Sequence, residues 1–114
     1  MEIKWFGHSC FRITERGLAT VVTDPYSSTE IGYEDLKLKA EIVTISHDAP
    51  GHNHTKSVSG NDWTISGPGE YEIGGVFITA IPTHKNGGTK NLAFTFEFND
   101  PIEIEFKTFT EPMI

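Results

Sequence analysis

Between residues 91 and 98 the chain alternates, with Leu92, Phe94, Phe96 and Phe98 falling on one face of an extended segment. Asn99-Asp100-Pro101 then turns the chain, and Ile102, Ile104 and Phe106 alternate with Glu103, Glu105 and Lys107, which predicts a closing hairpin with one apolar face. A looser alternation over residues 2–6 and 10–14, broken by Gly7-His8-Ser9, predicts an opening hairpin. The β-branched run over 19–23 is stopped by Asp24-Pro25, because a proline cannot donate to a ladder. Ile42, Val43 and Ile45 predict a buried strand over 41–46 that opens into a polar loop over 47–61. Three further strands, over 63–65, 71–73 and 76–81, are expected as a meander around Gly67-Pro68-Gly69 and Gly74-Gly75. A short helix is expected only over 33–39, about two turns at most.

Composition narrows the setting. With 114 residues and no Pro/Gly/Ser-rich linker, the chain reads as one domain over 1–114, strand-dominated α+β in class. Sixteen acidic residues against nine basic ones give a formal charge of −7, and the basic residues form no stripe, so neither nucleic acid nor an anionic membrane is an expected partner. No apolar run approaches the ~20 residues a bilayer span needs. The single cysteine, Cys10, cannot form an internal disulfide, and the first residues do not read as a signal peptide, so a cytoplasmic location is expected. Cys10 itself, within a strand beside Phe11, is expected to be a small buried residue and not a nucleophile. Gly67-Pro68-Gly69-Glu70 and Asn86-Gly87-Gly88 open no helix and read as turns, not phosphate cradles.

Histidine placement is the chemical feature. His47, His52, His54 and His84 each follow a predicted buried strand or lie in the loop after it, where a rigid sheet can hold side chains that loops bring together. Neutral imidazole suits zinc, yet solvated loop histidines would produce the same pattern. His8 fits a turn residue whose ring bonds nearby backbone.

The segment Ile42-Val43-Thr44-Ile45-Ser46-His47-Asp48-Ala49-Pro50-Gly51-His52 resembles the metallo-β-lactamase superfamily motif, in which a hydrophobic strand runs into Thr/Ser-His-x-His-x-Asp-His. Trp5-Phe6-Gly7-His8-Ser9-Cys10-Phe11, then Thr23-Asp24-Pro25, the motif loop and His84 follow in that family's order, and are most similar to its small zinc-dependent hydrolase branch. The resemblance covers roughly the first 98 residues. It implies the N-terminal half of an αββα sandwich. It also implies His47 and His84 as ligands of a first metal, His52 of a second, and Asp24 as a carboxylate propping the loop, with His8 beside it. In the family the metals activate water against an ester, amide or phosphodiester.

The departures qualify that expectation. Ala49 stands where the second motif histidine belongs, and Gly51 where the motif aspartate belongs. His54, Asp48 and Glu105 are the substitutes within reach of the pattern, and a catalytic zinc normally has three protein ligands and an open position. The expected function is therefore a zinc-hydrolase-related domain with weak or lost activity, its small-molecule substrate unnamed. The rival is a non-catalytic binding or self-assembling module, engineered or truncated, on the same scaffold. The rows Leu92 to Phe98 and Ile102 to Phe106 exceed what so short a chain is expected to bury, which predicts a homo-oligomer, most simply a two-fold dimer.

Overall fold

The computed structural model describes residues 1–27, 36–49, 51–84, 90–98 and 103–106. Two sheets carry the fold. The first has strand order β1-β2-β3-β5-β7, from β1 (Glu2–Gly7), β2 (Cys10–Thr14), β3 (Val21–Thr23), β5 (Ile42–Thr44) and β7 (Trp63–Ile65). The second has order β11-β10-β9-β8, from β8 (Gly69–Ile73), β9 (Val76–His84), β10 (Lys90–Phe98) and β11 (Glu103–Phe106). A two-stranded parallel ribbon pairs β4 (Leu38–Lys39) with β6 (Val58–Ser59), the latter preceded by a 3₁₀ turn at Thr55–Ser57.

The opening and closing hairpins form as expected, with Trp5 opposite Phe11 and Phe96 opposite Ile104. Two of the expected elements need correction. Residues 63–65 do not belong to the meander: β7 runs parallel to β5 in the first sheet, with Ile42 opposite Trp63 and Thr44 opposite Ile65. Of the helix expected over 33–39, residues 33–35 lie outside the described residues, and the remainder is coil and strand. There Leu38 is buried against the back of the first sheet, and pairing with Val58 outweighs two turns of helix too short to be stable alone.

The central strands of the first sheet are covered on both faces, which is why β3 and β5 are continuous apolar or threonine runs with no exposed position. On one face Ile13, Val21, Ile42 and Ile65 pack against Ile78, Phe94, Phe96 and Phe98 of the second sheet. On the other, Cys10, Val22 and Val43 pack with Tyr26, Leu38, Ala40 and Val58. Of the two rows expected to compete for cover, Leu92, Phe94, Phe96 and Phe98 are thus buried within the chain itself. Ile102 lies outside the described residues, while the register sets Phe106 opposite Phe94. Among the described residues the exposed large apolar side chains are instead Met1, Ile3 and Trp5 at β1, Trp63 on β7, and Phe77 and Ile81 on β9.

One turn locks the sheets together. Gly74, at φ +54°, accepts a hydrogen bond from the Ala19 amide at 2.9 Å, and a Cβ there would stand 2.6 Å from the Ala19 methyl. Only glycine combines that conformation with so close an approach. Among the described residues no helix is long and apolar enough to cross a membrane.

Candidate functional site

The site gathers where β3 and β5 end side by side. Thr23 pairs with Thr44, and the Asp24 amide donates to the Thr44 carbonyl at 2.8 Å, so the two strand ends enter their loops together. Asp24 is 3% exposed and adopts φ +39°, a left-handed conformation that costs free energy for a non-glycine residue and that its buried hydrogen bonds must offset. Its Oδ1 accepts the Ser46 amide at 2.8 Å, and its Oδ2 accepts both the Ser46 hydroxyl at 2.7 Å and His52 Nδ1 at 3.1 Å. One carboxylate therefore holds both ends of the 46–52 loop.

Proton placement follows from these bonds. The Ser46 hydroxyl gives its proton to Asp24, so it must accept at its oxygen from His47 Nδ1, 2.9 Å away. The same Nδ1–H reaches Asn91 Oδ1 at 3.1 Å, and the Asn91 amide in turn donates to the Thr83 hydroxyl at 3.2 Å. His47 and His52 thus each carry their proton on Nδ1 and keep the Nε2 lone pair, the arrangement in which a second group fixes the free nitrogen.

His8 completes the cluster. It sits at φ +52° at the tip of the opening hairpin, where the Trp5 indole N–H donates to its carbonyl at 2.9 Å. That geometry brings His8 Nε2 to 3.2 Å from His52 Nε2, with ring centroids 4.7 Å apart; the His47 and His52 centroids are 4.2 Å apart. Burial, then the neighbouring His52 charge, lowers the pKa of both His8 and His47, only partly opposed by Asp24, so both are neutral at pH 7. Beside His47 lies a pocket of about 350 Å³ whose apolar wall is Pro68, Pro82 and Leu92 and whose polar side includes His47, Asp48 and Asn91. Its size is within the range of small-molecule sites.

The other expected site residues fall further out. The register pairs His84 with Lys90 and Thr83 with Asn91, so the His84 backbone reaches the same sheet end as His47, while its imidazole lies outside the described residues. His54 is tied by its backbone amide to the Pro25 carbonyl at 2.8 Å. Asp48 is exposed and accepts the Asn53 side-chain amide at 2.6 Å. Glu105 stands opposite Thr95, four residues along β10 from Asn91, about 13 Å at strand rise. Cys10 is fully buried, and burial, seconded by Asp24, pushes its thiol up to about 12, which removes it as a nucleophile at neutral pH. Sequence reasoning missed Asn91 and the bridging role of Ser46.

This donor set does not fit a two-metal centre. Ala49 and Gly51 offer no donor atom, and among the described residues no three His, Cys, Asp or Glu side chains group to hold a metal ion.

A family profile described as the beta-lactamase superfamily domain matches residues 2–104. A UPF0173 protein of Pyrococcus abyssi is 35% identical over 52 residues, 46% of this chain and 23% of that protein. A UPF0173 metal-dependent hydrolase of Rhizobium leguminosarum bv. trifolii is 37% identical over 54 residues, 47% of this chain and 23% of that one. The crystal structure of a Thermotoga maritima protein, described as a putative Zn-dependent hydrolase of the metallo-beta-lactamase superfamily, superposes with a TM-score of 0.69 at 36% identity, over 90% of this chain and 46% of that one. The chain thus spans less than half the length of each of these relatives.

Proposed function

This chain belongs to the beta-lactamase superfamily, and from that premise we propose that it is a domain related to metal-dependent hydrolases whose own hydrolytic activity is weak or lost. The supporting observation is the contrast within one loop. His47 and His52 keep oriented imidazoles, tied to Asn91, Ser46 and Asp24, while Ala49 and Gly51 between them supply no ligand. The chain's own residues can still do part of the work. The pocket beside His47 can seat a small molecule against Pro82 and Leu92, and the free His47 Nε2 can accept a proton from a bound hydroxyl or water. A cytoplasmic setting belongs to the same reading, since Cys10 is a buried free thiol.

Ala49→His combined with Gly51→Asp is expected to raise zinc affinity by roughly tenfold or more, since each adds a donor to a scaffold already oriented. Calorimetric titration of zinc reads the affinity, and turnover of bis(4-nitrophenyl) phosphate reads the activity. Zinc-dependent turnover by the unmodified chain as fast as by the double variant would sink this reading.

A second reading, assembly, is favoured by β7, which is an edge strand among the described residues and whose Trp63 is 55% exposed. An exposed apolar edge strand is a template for pairing, and we propose that two copies join β7 to β7 about a two-fold axis. Sedimentation at micromolar concentration is expected to give twice the 12.7 kDa monomer mass, and Trp63→Glu to return it to the monomer. A concentration-independent monomer would refute the assembly.

A further inference from the structure

We propose that the back of the first sheet carries an anion site whose ligand is a small molecule bearing two or three linked phosphates. The site shares no residue with the histidine cluster or with the pocket beside His47, and it stands whether or not the chain hydrolyses anything.

Four cations converge there. Arg12 of β2, Lys37 just before β4, Lys39 of β4 and Lys56 of the 3₁₀ turn line one open cavity of about 370 Å³. They are four of the nine basic residues in a chain of charge −7, and they come from three segments far apart in sequence. The parallel ribbon gathers them: Lys39 opposite Ser59 sets β4 beside the turn that holds Lys56. Arg12 joins from the face of β2 that it shares with Cys10, which packs with Leu38 and Val58. Among the described residues none of the four is paired with a carboxylate. Arg12 adds a second, independent observation. Its Nε is buried yet has no hydrogen-bond partner, and a guanidinium cannot shed its charge to escape that cost. Lys4 lies directly opposite it on β1, and both cations stand over the Phe6 ring, at 5.3 and 5.2 Å. Like charges directly opposite destabilise a ladder, so packing alone would favour an uncharged residue at position 12. A bound anion supplies both the missing acceptor and the countercharge.

The chemistry of the lining narrows the ligand. The Ser57 and Ser59 hydroxyls in the cavity already give their protons to the Tyr26 and Leu38 carbonyls. Recognition therefore falls to the lysine charges and to the Arg12 fork, whose geometry suits phosphate oxygens. The cavity lies at the small end of ligand sites and holds more than a single phosphate fills, while the acidic remainder of the molecule repels a long polyanion. Linked phosphates on a small molecule satisfy both limits.

The test uses the whole chain and sodium tripolyphosphate in metal-free buffer, followed by calorimetry. One tripolyphosphate is expected to bind per chain, more tightly than orthophosphate or citrate, and more weakly as added salt shortens the screening length. Lys39→Gln combined with Lys56→Gln, both exposed positions, is expected to weaken binding about fivefold or more. Arg12→Gln is expected to weaken it about tenfold or more, the loss of a charge-assisted donor. Arg16→Gln, exposed and away from the cavity, is expected to leave it unchanged. A nucleoside triphosphate that binds equally well identifies the phosphate chain as what is recognised, one that binds clearly tighter identifies a nucleotide, and either supports the site. Unchanged affinity in the double lysine variant, an equal loss in Arg16→Gln, a loss that follows His47→Gln instead, citrate bound as tightly as tripolyphosphate, or no binding at millimolar tripolyphosphate would each overturn it. Tighter binding of a single-stranded oligonucleotide than of tripolyphosphate would overturn the small ligand in favour of nucleic acid. If Arg12→Gln does not fold, the double lysine variant decides alone.

Discussion

Phe96→Ala is expected to remove much of the chain's folding stability. Phe96 is fully buried between the sheets, its ring 6.1 Å from that of Phe94 and 6.4 Å from that of Phe98. Truncation removes the apolar transfer free energy of a whole ring and leaves a cavity that the strands on either side cannot close, a combination that costs about 3–5 kcal/mol. A domain of this length has about 6–17 kcal/mol in total at the usual range per residue. Urea unfolding followed by tryptophan fluorescence should therefore show the midpoint reduced by about a fifth or more. Phe77→Ala, on the outer face of the same sheet, should stay within about 0.5 kcal/mol of the parent. Equal losses from the two substitutions would mean that the outer face is covered in solution.

The row that makes Phe96 so sensitive is also what the sequence displays most plainly. Alternation over residues 91–98 gives β10 its face and its neighbour across the turn, because both follow from local pattern and a short connection. The motif loop is equally legible, since the strand over Ile42–Thr44 and His47 are close in sequence. What local pattern could not reveal is pairing at a distance. β7 joins β5 in parallel across some twenty residues, and β4 finds β6 over a similar gap, so three residues at 63–65 read as readily as part of a meander.

The site divides the same way. Asp24 and His52 were legible as family positions, and the structure brings them to 3.1 Å. His8 was placed beside the site as a turn residue, and the hairpin tip, bent by two consecutive positive-φ residues Gly7 and His8, carries its ring onto His52 from 44 residues away. Asn91 gave no signal because it is the polar member of an alternating strand. Only the register with β9, and the backbone bond from the Leu92 amide to the Ser46 carbonyl at 2.8 Å, bring it to His47.

Asp24 is the residue on which the whole cluster depends, and its replacement is expected to separate folding from ligand orientation. Asp24→Ala leaves the Ser46 amide, the Ser46 hydroxyl and His52 Nδ1–H in a buried place with no acceptor, so a loss of about 3–5 kcal/mol is expected, as for other broken buried charge networks. Asp24→Asn is the more informative change. Its carbonyl oxygen can still accept the Ser46 amide, but its NH₂ group then faces the Ser46 hydroxyl and His52 Nδ1. Two donors cannot share one contact, so His52 must release the proton from Nδ1 and carry it on Nε2, which faces His8. Stability should fall by only about 1–2 kcal/mol, the cost of one weakened buried hydrogen bond. The tautomer change is read directly by long-range nitrogen–proton correlation of the imidazoles: the parent chain should give the Nδ1–H form at His52 and Asp24→Asn the Nε2–H form. An Nε2–H signal at His52 in the parent chain would contradict the proton placement drawn from the carboxylate, and with it the lone pair directed at His8.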